Sequence, residues 1–96
     1  MKPSETLRAN RAEINRIVQM NNALKARVFG SVLQGEDTEQ SDLDVLIDPT
    51  AETSLFDIGA IRYKLQQLLG VRVDVLTPDA LPESFRALVL AEAVPI

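Results

Sequence analysis

Three aspartates and one glycine–serine pair have the types and spacing to do chemistry. Gly30-Ser31 ends a strand-like run, "ARVFG" (26–30), and ten residues later "DLDVLID" (42–48) opens with Asp42 and Asp44. A third aspartate, Asp74, sits inside "VRVDVLT" (71–77). Side chains alternate along a strand, so Asp42 and Asp44 face one way, with Cα atoms about 6.5–7 Å apart. Leu43, Val45 and Ile47 are left for the other face. Asp74 is set against Val73 and Val75 in the same manner. If the two strands are neighbours, three carboxylates gather on one side of a sheet. Bare, they would repel, and some would take up protons. A divalent cation that prefers hard oxygen ligands, such as Mg²⁺, removes that conflict. A helical turn opening at Ser31 offers N–H groups and a positive dipole end to an anion. Glycine at position 30 lets a phosphate approach the backbone closely, Ser31 adds a hydroxyl donor, and Gly35 can close the loop. Phosphate held at one end and metal at the other is the physical content of nucleoside-triphosphate chemistry.

Each piece alone has an ordinary explanation. A D-x-D in a strand also describes an edge strand with solvated aspartates, and Gly-Ser serves any turn. Glu36, Asp37 and Glu39 read as a solvated loop, Asp48 before Pro49 as a turn former, and Asp79 as a cap for the segment after Pro78. The conjunction of strand, Gly-Ser, spacer, D-x-D and third aspartate carries the chemical reading.

Composition narrows the field. The chain has 96 residues, no cysteine and no histidine. Disulfides, cysteine-bound zinc and histidine-based triads are therefore excluded within it. Net charge is −4, and six acids fall between Glu36 and Asp48. That balance disfavours nonspecific binding to nucleic acid, which needs a basic face. No run reaches the length of a membrane span, and "MKPSETLRANRAE" lacks the apolar core of a signal peptide. The expectation is one domain over 1–96, in the cytoplasm.

The elements that must position these residues are set by apolar periodicity. Leu7, Ile14, Ile17, Val18 and Leu24 predict one amphipathic helix over 4–23, with Ser4 as its N-cap. Strands are predicted at 26–30, 42–48 and 71–77, with a helical turn at Ser31. Ser54 and Asp57 resemble a capping box. The helix after them buries Ile58, Ile61, Leu65, Leu68 and Leu69, with Gly70 at its C′ position. A last helix starts near Pro82, turns Phe85, Leu88 and Val89 inward, and stops before Pro95. The order α-β-(short α)-β-α-β-α predicts a sheet covered by helices.

"VFGSVLQGEDTEQSDLDVLI" resembles the signature of the DNA polymerase beta-like nucleotidyltransferase superfamily, and most of all its small prokaryotic branch, the minimal nucleotidyltransferases. "VDVLTPDALP…FRALVLAEAVPI" is similar to the end of that family too. The resemblance implies an α/β (α+β) fold, a small mixed β-sheet flanked by helices. It implies that Asp42 and Asp44 bind two Mg²⁺ ions, that Asp74 ligates the ion activating the attacking hydroxyl, and that Gly30 and Ser31 hold the triphosphate of ATP. It further implies an antitoxin that transfers AMP to a tyrosine of a helical HEPN-type partner protein, with a homo- or hetero-oligomer possible. One position departs from the family pattern: Gln34 stands where many members carry a loop arginine. A neutral amide cannot give the charged, bidentate phosphate contact of an arginine. Arg27, Arg62 and Arg72 are the candidates to compensate. An inactive module that neutralises its partner by occupancy is the alternative reading.

Overall fold

The computed structural model describes residues 1–96. Four strands form one mixed sheet in the order β3-β2-β1-β4: β1 (Ala23–Phe29), β2 (Leu43–Pro49), β3 (Val73–Leu76) and β4 (Val94–Pro95). β1 runs antiparallel to β2 and β4, and β2 runs parallel to β3. A parallel pair needs a crossover, and here it is helix α4 (Leu55–Leu69). Helices α1 (Pro3–Ala9), α2 (Arg11–Met20) and α4 pack together. Their apolar stripes meet Leu43, Val45 and Ile47 of β2 and Val73 of β3 in one continuous core. The predicted strand alternation is obeyed: Leu43, Val45, Ile47 and Val73 are buried, while Asp44 and Asp74 take the opposite face.

The predicted α4 is found with its signals. Ser54 Oγ accepts the Asp57 N–H at 3.2 Å, and Asp57 Oδ2 accepts the Ser54 N–H at 2.9 Å. Ile61, Leu65 and Leu69 are buried, and Gly70 ends the helix.

Several local expectations are corrected. The single N-terminal helix is two, because Asn10 leaves helical geometry (φ −127°, ψ 21°) and its Nδ2 donates to the Thr6 carbonyl at 2.8 Å. Such a local side-chain bond competes with the helical ladder. The break lets Leu7 of α1 reach the same core as Ile14 and Val18 of α2. Leu24 lies in β1 rather than on a helix and is exposed. β1 starts three residues early because Ala23 and Leu24 already pair with Pro49 and Asp48, and a bulge with Lys25 at φ 48° separates them from Arg27. The last helix, α5 (Glu83–Glu92), buries none of its residues, and Phe85 and Leu88 face solvent. α5 is tied instead by Arg86, which donates to the carbonyls of Pro78 and Leu81 at 2.8 Å each. After it the chain pairs once more: Val94 and Pro95 lie opposite Val28 and Arg27. Proline tolerates this place because it is at an edge.

Ser4 does not cap α1; it lies inside it. The N-cap is Lys2, whose N–H donates to Glu5 Oε1 at 2.9 Å, and a further acceptor for the first turn comes from across the molecule, where Asp37 Oδ2 accepts the Ser4 N–H at 2.9 Å. Asp37 is thus buried rather than a solvated loop acid. The bond from the Ser4 N–H lowers its pKa, opposed by burial. Asp37→Ala is expected to cost about 1–2 kcal/mol, the usual loss for an N-terminal cap. The lowered value gives the sign against pH: the contribution is full at neutral pH and fades as pH falls below the ordinary 3.8. Thermal melts of both proteins at pH 7 and at pH 3 check this, since the gap between them should shrink in acid. Asp79 also has another place than expected. It lies inside the short 3-10 turn Pro78–Ala80, whose N-cap is Thr77 and which has no side-chain cap.

Candidate active site

The parallel pairing of β2 and β3 sets Asp44 directly beside Asp74, with Leu43 opposite Val73 and Val45 opposite Val75. Paired residues project to the same face, so the two carboxylates stand side by side on the face away from α1, α2 and α4. Asp42 precedes the first paired residue, Leu43, whose N–H donates to the Arg72 carbonyl at 2.8 Å. Its side chain leans outward, with Arg72 Nε 3.8 Å from Asp42 Oδ1. The three acids therefore share a face but do not close into a metal cage as they stand.

Asp44 carries the electrostatic strain of the group. Burial first, then the charges of Asp74 and Asp42, push its carboxyl up from 3.8 to about 6. Each cause disfavours the charged form. A cation between these oxygens would offset the repulsion, and three carboxylates are the donors that Mg²⁺ prefers. The donor chemistry thus fits a divalent ion, with Asp42 swinging from Arg72.

The glycine–serine bend meets the same carboxylate. β1 lies on the other side of β2, and Phe29 is paired with Asp44. Gly30 comes next with φ 77° and ψ −150°, and helix α3 (Ser31–Gln34) opens immediately after it. A Cβ at position 30 would stand 2.1 Å from Asp44 Oδ2. Glycine is needed here twice over, for the backbone angle and for the carboxylate pressed against it. The first N–H groups of α3 have no acceptor inside the helix, so the bend presents donors next to the acids.

Other singled-out residues are distributed differently. Gln34 ends α3, and its Nε2 is 3.5 Å from Glu92 Oε2 of α5. Arg27 shares the acid-bearing face, but its Nη2 donates to Asp48 Oδ1 at 2.7 Å, and its Nε is buried without a partner. Asp48 is therefore an ion-pair partner within β2, not a turn former. Arg62 lies on α4, on the opposite side of the sheet. Phe56 and Tyr63, two aromatics able to stack on a base, are exposed on that same helix; Phe29 is the aromatic paired with the site. Leu46 was not foreseen: it is fully buried on the acid-bearing face, where β2 meets the 3-10 turn. A strand with Asp44, Leu46 and Asp48 on one side reads as polar in sequence, and only the returning turn reveals that its centre is covered.

Residues 11–95 match the nucleotidyltransferase domain family. The chain belongs to it. The protein adenylyltransferase MntA of Thermococcus cleftensis is 39% identical over 67 residues, which is 70% of this chain and 68% of that one. A solved structure of a candidate minimal nucleotidyltransferase is 41% identical and superposes with a TM-score of 0.87, covering 97% of this chain and 95% of the other. The fold, though not more, is shared with a toxin–antitoxin structure determined with AMP-PNP, at 19% identity, TM-score 0.75, and coverage of 90% and 71%. The mixed sheet with helices is thus a minimal nucleotidyltransferase fold, and this chain is a nucleotidyltransferase of that family. No helix is long and apolar enough to cross a membrane.

Proposed function

We propose that this nucleotidyltransferase moves AMP from ATP to a tyrosine hydroxyl of a partner protein, acting in the cytoplasm as the antitoxin of a HEPN-type toxin–antitoxin pair. The observation that carries the reading is the contact of three elements at one point: Asp44 beside Asp74 across β2 and β3, with Gly30 against Asp44. The MntA relative is named a protein adenylyltransferase, and the related fold is found in a toxin–antitoxin assembly. HEPN identity and the tyrosine come from the family resemblance.

In this reading Gly30 and Ser31 hold the triphosphate with backbone and hydroxyl donors. Asp42, Asp44 and Asp74 would hold two Mg²⁺ ions, which supply charge neutralisation of the phosphates and activation of the hydroxyl. The hydroxyl oxygen bonds to the α-phosphorus, the bond to the bridging oxygen breaks, and pyrophosphate leaves with the electron pair. Asp74, the exposed carboxylate of the pair, takes the hydroxyl proton. Asp44 stays ionised once cations offset its neighbours.

A second reading has its own observation. Gln34 replaces a charged phosphate ligand and leans toward Glu92, an acid, so neutralisation by occupancy alone is the rival. One experiment separates them. The chain is incubated with α-labelled ATP, Mg²⁺ and its purified partner, alongside the double variant Asp42→Asn, Asp44→Asn. Transfer predicts label on the partner with the native chain and none with the variant. If the variant still neutralises the partner fully, occupancy is the function.

A further inference from the structure

A cavity of about 180 Å³ lies between α1, α3 and the β4 edge of the sheet. Leu7 and Val28, two core residues, line it together with Val32 and Leu33 of α3. Val28 belongs to the core beneath the helices, so the cavity is on the side of the sheet opposite Asp44 and Asp74. Cavities of about 150 Å³ admit a benzene ring. This one therefore has room for one aromatic or branched aliphatic side chain.

Arg8 and Arg11 also line the cavity, and both are exposed. Asn10, where α1 ends and α2 begins, lies between them. Neither has an acid: the three ion pairs of the chain belong to Arg16, Arg27 and Arg72. Arg8 is in the last turn of α1, where a cation suits the helix dipole. Arg11 is the first residue of α2, where the dipole opposes a cation. The acid of that first turn, Glu13, is held by Arg16. Arg11 thus carries a local electrostatic cost that nothing within the chain offsets. A carboxylate from outside would offset it.

These features are complementary to one kind of ligand. The apolar lining accepts a large side chain, and free guanidiniums beside it accept carboxylates. The net charge of −4 favours basic ligands overall, so two unpaired cations around an apolar cavity reverse the bulk preference locally. Nucleic acid fits poorly, because two arginines on an acidic chain do not make a basic face. An added strand also fits poorly: β4 is two residues long, and Pro95 has no N–H to give.

We propose that this cavity is a docking site for an acidic segment of a partner protein. The segment buries one large apolar side chain against Leu7, Val28, Val32 and Leu33, and sets its carboxylates on Arg8 and Arg11. The site is separate from the carboxylates of β2 and β3, so the assignment does not depend on the nucleotidyl-transfer reading.

The probe is a peptide blocked at both ends, Glu-Glu-Phe-Glu-Glu. It is titrated into the isotope-labelled chain without divalent ions, and amide NMR shifts are followed. Shifts should concentrate at Leu7, Arg8, Arg11, Val32 and Leu33, with a Kd below about 1 mM. Alanine in place of the phenylalanine should weaken binding about tenfold, and lysines in place of the glutamates should abolish it. Arg8→Gln and Arg11→Gln should each weaken binding about threefold, the scale of an exposed charged contact, and the double variant about tenfold. Arg11→Gln should melt no lower than the native chain, because it removes a cation from a helix N-terminus. A clearly lower melting temperature would instead give Arg11 an internal structural role and sink its part in docking. No shifts at these residues with about 10 mM peptide, equal binding of the lysine peptide, or undiminished binding by the double variant would overturn the assignment. So would shifts at the same amides that grow with the concentration of the chain alone, since a second copy would then be the occupant.

Discussion

Asp44→Asn is expected to make the protein more stable and to remove its activity. In the metal-free chain Asp44 has its carboxyl pushed to about 6 by burial, Asp74 and Asp42. Unfolding relieves all three, and the group returns to its ordinary 3.8. The folded state therefore binds more protons than the unfolded state between those values, and stability falls as pH rises from about 4 through about 6. The full shift corresponds to about 3 kcal/mol, and screening at a half-buried group leaves about 1–2 kcal/mol. Asparagine keeps the shape and removes the charge. At pH 7.5 without divalent ions, the variant should melt about 5–10 °C above the native chain. At pH 4 the two should melt together. Millimolar Mg²⁺ should raise the native melting temperature and leave the variant almost unmoved, because a ligand stabilises only the state that binds it. Nucleotide transfer should fall by about a hundredfold to a thousandfold or more, the scale of losing one charge-stabilising group. A variant that melts no higher than the native chain at pH 7.5 would show that Asp44 is not under electrostatic strain, and a cation site there would lose its energetic basis.

The second large effect is at Gly30. Gly30→Ala asks an L-residue to adopt φ 77° with ψ −150°, and places a methyl group 2.1 Å from Asp44 Oδ2. Backbone strain of this class costs about 1–3 kcal/mol, and displacing Asp44 brings the total to about 2–4 kcal/mol. The melting temperature should fall by about 10–25 °C. Gly35→Ala is the control. Gly35 also has positive φ, at 73°, but with ψ 22° it is ordinary left-handed helix, and nothing lies within 4 Å of its missing Cβ. It should cost about 1 kcal/mol. The functional contrast should be wider still. The alanine at position 30 moves the carboxylate that the proposed cation needs, so Mg²⁺-dependent stabilisation should vanish even where the protein stays folded. In the Gly35 variant it should persist. Circular dichroism melts with and without Mg²⁺ and AMP-PNP measure both quantities. Equal losses in the two variants would mean that contact with Asp44 has no special consequence.

Much of the site was legible because the residues that make it are close in sequence or in strand register. Gly30-Ser31 and the D-x-D are joined by one hairpin-like connection, and alternation along β2 decides which side chains face the core. Helix α4 announced itself through Ser54, Asp57 and Gly70, which act within their own turn. The errors fall where an element's partner lies far along the chain. Asp37 looked like a loop acid, yet it accepts an N–H from the first turn of a helix 33 residues away. Asp48 looked like a turn former, yet it pairs with Arg27 on the neighbouring strand. Phe85 and Leu88 looked inward, yet α5 is tied by Arg86 to backbone carbonyls and leaves those side chains in water. Periodicity states that a helix has an apolar side; it does not state what, if anything, covers it.

The sequence by itself determined the chemistry on offer: carboxylates, a hydroxyl and a permissive glycine, with no thiol or imidazole, on strands and turns whose local signals are strong. Tertiary structure alone decided that β3 lies parallel against β2. That pairing sets Asp74 beside Asp44, so that its charge adds to the burial that raises the Asp44 carboxyl, and leaves Asp42 3.8 Å from Arg72. The physical reason is range. Propensity, capping and alternation act over a few residues, whereas register between strands separated by α4 is fixed by how its buried face packs on the sheet.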